Sequence, residues 1–104
     1  MRHFELPDDN GLKGPRVNDT RDINVIGIRD NFTLEDGVAT VVIEGWMYEA
    51  DYNGGVPPAV IRMVAVPYAT RADGIDGLID KLIAAESLTT HEGEVFTMQG
   101  ATEI

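Results

Sequence analysis

The chain has no cysteine, which excludes disulfide frameworks, CxxC redox motifs and zinc–thiolate centres together. Other reactive side chains are nearly as scarce: one serine (Ser87), two histidines (His3 and His91) and two lysines (Lys13 and Lys81). Ser87 lacks the glycine-flanked elbow that exposes a nucleophilic hydroxyl. Neither histidine has a sequence-evident partner for general-base work, and His91 beside Glu92 and Glu94 reads as a surface imidazole. Gly54-Gly55 runs into Val56-Pro57-Pro58, leaving neither a Walker lysine nor a helix start to hold phosphate. Asp51-Tyr52-Asn53-Gly54 opens like a calcium loop, but no glutamate follows where an EF-hand needs its bidentate ligand. Asp73 and Asp76 read as helix-capping residues rather than ligands. Glu44 and Glu49 near Trp46 and Tyr48 suit a sugar-stacking face, yet the same alternation describes any solvent-facing side of a strand. The expectation is therefore of no catalytic residue, no metal site, no cofactor and no enzyme activity.

Long apolar runs are also missing. The longest, 41–43 and 63–69, fall far short of the roughly 20 residues that cross a bilayer. The start of the chain carries charge without an apolar stretch behind it, so neither a signal peptide nor a membrane segment is expected. Asn31-Phe32-Thr33 matches a glycosylation sequon but lacks the secretory context that would make it an acceptor.

Positive charge is the last scarcity. Lys and Arg number 8 against 18 Asp and Glu, a net charge of −10. Without a basic patch to hold phosphate, direct binding of nucleic acid or an anionic membrane is disfavoured. The acidity fits a salt-adapted or compositionally biased host, recognition of a basic protein surface, or solubility alone. The acids are spread along the chain rather than gathered in runs, which weakens a DNA-mimic reading.

What is present is enough for one core: 43% hydrophobic residues in a chain of 104. Residues 1–22 carry breaker clusters at Pro7-Asp8-Asp9-Asn10-Gly11 and Lys13-Gly14-Pro15 and show no period. They read as an extended N-terminal arm, with residues 23–104 forming a single α+β domain. Residues 23–29 are β-branched and read as a strand. Asp36-Gly37 signals a hairpin. Residues 38–49 alternate, with Ala39, Val41, Ile43 and Met47 on one face and Thr40, Glu44, Trp46 and Tyr48, together with Val38 and Val42, on the other. Residues 59–68 are apolar on both faces except for Arg62, which suggests a central strand. Residues 70–87 form an amphipathic helix with a stripe of Ile75, Leu78, Ile79, Leu82 and Ile83. A final strand is expected over 94–98.

The expected fold is α+β: a small antiparallel sheet of four or five strands, one amphipathic helix on one face, and an irregular arm. The helix stripe should cover the Ala39/Val41/Ile43/Met47 face. The opposite face then needs a cover for Trp46 and Tyr48, from the arm or a second subunit. Phe4, Leu6, Leu12, Val17, Trp46 and Tyr48 are thus the candidate protein-interface residues. The favoured function is a non-enzymatic structural or assembly protein, such as a capsid decoration or tail protein of a tailed virus, with itself or other assembly subunits as partners. Its expected location is the virion or the cytoplasm. One alternative is an acidic inhibitor or adaptor that binds a basic protein surface, of the anti-defence type. Another is a small carbohydrate- or ligand-binding domain.

Overall fold

Two positive φ angles build the centre of the molecule. Asp36 (φ 53°) and Gly37 (φ 75°) form the mirror-image turn whose twist matches that of paired strands. They join β2 (Val25–Glu35) to β3 (Val38–Trp46) in the hairpin that the Asp-Gly signal marks. The computed structural model describes residues 1–15, 21–69 and 71–104. Around the hairpin lies a five-stranded antiparallel sheet, in the order β4 (Val60–Pro67), β3, β2, β1 (Arg2–Glu5), β7 (Thr102–Glu103). A two-residue pair, β5 (Leu88–Thr89) with β6 (Val95–Phe96), forms a second small sheet. Among the described residues two helices complete the fold: the short α1 (Glu49–Asn53) and the longer α2 (Gly74–Ala84).

The inner face of the sheet meets α2. Ile26, Ile28, Ala39, Val41, Ile43, Val60, Val64 and Val66 form one core with Leu78, Ile79 and Leu82 of the helix. Met47, Ile75 and Ile83 pack at its margin. The helix stripe therefore lies where its period places it. Gly77 permits the close fit. A Cβ there would come within 2.6 Å of the Tyr68 hydroxyl, which donates a 2.8 Å hydrogen bond to the Gly74 carbonyl. The helix is shorter than 70–87, running Gly74–Ala84, and Asp73 at its N-cap makes no side-chain capping bond. Thr70, the first residue of the expected helix, lies outside the described residues.

Three expectations need correction. The arm is not a docking segment over residues 1–15. Residues 2–5 form β1, antiparallel to β2, and Phe4, Leu6 and Leu12 belong to the central core. Asn10 organises the irregular stretch after β1. Its side-chain NH2 donates to the carbonyls of Pro7 (2.9 Å) and Ile23 (2.8 Å), and its Oδ1 accepts from the Leu12 N–H at 2.8 Å. A buried amide that satisfies three backbone groups replaces the ladder that these residues lack. Second, the strand over residues 60–67 is an edge strand, not a central one. Its two apolar faces arise because the inner side packs on the core while Ile61 and Met63 on the outer side remain exposed. Third, the expected strand over 94–98 contracts to β6 and stays outside the main sheet.

Candidate functional site

The outer face of the sheet divides into a covered half and a bare half. Along β3, outward side chains come from Val38, Thr40, Val42, Glu44 and Trp46; along β4, from Ile61, Met63, Ala65 and Pro67. The register sets Val42 beside Met63, Glu44 beside Ile61 and Thr40 beside Ala65.

The covered half is built on Trp46. Its ring lies 5.9 Å from that of His3 on β1 and 5.2 Å, edge-on, from that of Tyr52 on α1. His3 and Tyr52 close the triangle at 4.7 Å. The indole N–H donates a 2.7 Å hydrogen bond to the Val56 carbonyl, which ties down the loop after α1. Tilted and edge-on aromatic contacts and a satisfied indole donor leave Trp46 only 8% exposed. Burial lowers the His3 pKa below its ordinary value, and the N-terminal ammonium adds to this, while Glu44 opposes both.

The bare half lies on β3 and β4. Val38 is 42% exposed, Ile61 49% and Met63 42%, with Val42 half-buried between them. The carboxylate that borders the strip, Glu44, has the Arg29 guanidinium 3.6 Å away. The outer edge of β4 is pinned midway, where the His91 N–H donates to the Met63 carbonyl at 2.9 Å and Val64 bridges Thr90.

The interface candidates thus scatter. Phe4, Leu6 and Leu12 are core residues. Val17 lies outside the described residues. Trp46 is covered by His3, which lies in the stretch expected to be the arm, and by Tyr52 of α1, so part of the expected cover does come from residues 1–22. Tyr48 is 45% exposed, with the Arg21 guanidinium 4.9 Å from its ring centroid. The residues that sequence reasoning passed over are Ile61 and Met63. Their signal was present in the two-sided apolar pattern of 59–68, but it was assigned to a central strand.

The remaining chemistry is dispersed. Ser87 and His91 are exposed, and neither side chain makes a hydrogen bond among the described residues. Asp51, Tyr52 and Asn53, read as the opening of a calcium loop, are part of α1. Among the described residues no three His, Asp or Glu side chains gather as a metal-binding group. An open hollow of about 260 Å³ beside Asp8, Asp9, Asn10 and Asp22 is polar, but Asp22 already accepts from Lys13 and from the Gly11 N–H. Those bonds outweigh the upward push of burial and hold the Asp22 carboxyl below its ordinary pKa. Among the described residues no helix is long and apolar enough to cross a membrane. No family model, curated protein or solved structure matches this chain.

Proposed function

We propose that this chain is a non-enzymatic assembly protein that pairs with a second copy of itself through the bare outer strip of β3 and β4. The observation that carries this reading is the uncharged strip of Val38, Val42, Ile61 and Met63 on a surface that is otherwise strongly acidic. Two chains of net charge −10 repel each other over most of their surfaces. Contact through the strip leaves most of the acids at a rim where water and salt screen them, and Glu44 at its border already faces the Arg29 guanidinium. A two-fold axis brings the strip against itself, which is how an isologous interface satisfies both partners at once.

The test is light scattering coupled to size exclusion, at low and high salt. Met63→Asp places a charge at the centre of the strip and should raise the dimer dissociation constant more than about tenfold, roughly 1.4 kcal/mol. Salt should strengthen the dimer of the unaltered chain. A chain that stays monomeric at high concentration in both salts overturns the reading. A second reading, recognition of a basic protein surface, is favoured by Asp73, Asp76 and Asp80, all exposed along one flank of α2. Salt separates the two, since a complex held by opposite charges weakens as salt rises.

A further inference from the structure

The chain contains two Asn-Gly dipeptides, Asn10-Gly11 and Asn53-Gly54, and the fold treats them in opposite ways. Glycine after asparagine leaves the main-chain nitrogen open to attack the side-chain amide, so each is a chemically reactive pair. At Asn10 both reacting groups are held. The side chain is 4% exposed and bonded to three backbone groups, and the Gly11 N–H is fixed on the Asp22 carboxylate at 2.8 Å. At Asn53 the side chain is exposed and has no hydrogen-bond partner among the described residues. The Gly54 N–H is restrained by one bond, 2.9 Å to the Ala50 carbonyl. That bond closes a five-residue helix in which no residue is buried, so it opens locally without disturbing the core.

We propose that Asn53 is a site of spontaneous deamidation and isoaspartate formation, and that this modification loosens the cover over Trp46. In the opened helix, solvent base takes the Gly54 amide proton and the nitrogen attacks Cγ of Asn53. The N–Cγ bond forms, the Cγ–Nδ2 bond breaks, and ammonia leaves a five-membered succinimide. Water then opens the ring. Cleavage of the N–Cγ bond gives aspartate; cleavage of the bond from nitrogen to the main-chain carbonyl carbon gives isoaspartate, with the backbone routed through Cβ and Cγ. The longer path falls inside the turn that holds Val56. There Gly55 N–H donates to Tyr52 O at 3.2 Å and Val56 N–H to Asp51 O at 3.0 Å, and Val56 O receives the Trp46 indole at 2.7 Å. Isoaspartate at 53 cannot keep that register, so the loop lifts from the indole.

The full-length chain is incubated at mildly alkaline pH and followed by peptide mass spectrometry and by the emission of Trp46, its single tryptophan. Synthetic peptides spanning each Asn-Gly pair give the unrestrained rates. Asn53 should react within about tenfold of its peptide, and Asn10 at least about a hundredfold slower than its own, as expected for local and global opening respectively. Trp46 emission should shift to the red in step with isoaspartate at 53. It should stay constant in Asn53→Gln, or in Asn53→Ser if the glutamine chain folds poorly. Three results overturn the proposal: Asn53 intact when its peptide has fully reacted, Asn10 reacting as fast as Asn53, or Trp46 emission unmoved by modification at 53.

Discussion

One side chain can hold backbone that no strand pairing reaches. Asn10 is the clearest case, a buried amide that anchors backbone on both sides of itself, as an unpaired buried carbonyl or N–H is costly. His3 and Asp22 make the molecule sensitive to acid, and the sign is the same for both. Burial lowers the His3 pKa from 6.5, so the fold favours neutral imidazole. Its contribution is complete above that value and is lost as pH falls through the lowered one. Asp22 is held below its ordinary value of 3.8, so its contribution persists above that point and disappears only in stronger acid. Acidification should therefore act in two stages. The first is read in Trp46 emission, since an imidazolium 5.9 Å from the indole quenches it and loosens the aromatic cluster. His3→Gln should abolish the first stage and keep the second; a first stage that survives in His3→Gln would assign it to another group.

Among elements, β1 shows what a pattern search can and cannot find. The α2 stripe and the alternation of β3 were legible because a helix on a sheet, and a sheet with one buried face, each impose a period on many residues. No period marks residues 1–15. Phe4 enters the core from a four-residue strand, while Leu6 and Leu12 follow from irregular backbone held by Asn10. The partners that cover Trp46 were equally hidden, because His3 comes from β1 and Tyr52 and Val56 from the distant segment after β3. Removal of residues 1–13 should therefore unfold the protein rather than release a folded body. Leu12→Ala, at a fully buried position, should cost about 2–5 kcal/mol. Urea denaturation monitored by circular dichroism reads both, and a truncated chain with a full cooperative transition would show that β1 is dispensable.

For the molecule as a whole, the few cations are largely spent on internal contacts. Arg2 binds Asp76 and Glu103, Lys13 binds Asp22, and Arg62 binds Glu94. Arg21 lies over Tyr48 and Arg71 over Phe32. The surface left over is anionic, and its self-repulsion opposes compaction. Neutral salt should thus raise the thermal midpoint by several degrees in differential scanning calorimetry, because screening removes that repulsion. A midpoint that falls steadily with salt would mean that the ion pairs outweigh it.

The pairing of β1 with β7 also sets an order of events in time. Arg2 grips Glu103 through two hydrogen bonds of 2.8 and 2.7 Å, and β1 is flanked on one side by β2 and on the other by residues synthesised a hundred positions later. A nascent chain can form the β2–β3–β4 meander as it emerges from the ribosome, but the free edge of β1 stays open until Thr102 and Glu103 arrive. During that interval the edge is a template for stray strands. Contacts this distant in sequence also slow the final closure, as loop entropy is lost before they form. How soon β7 follows β4 in synthesis therefore bears on how much of the newly made protein escapes aggregation.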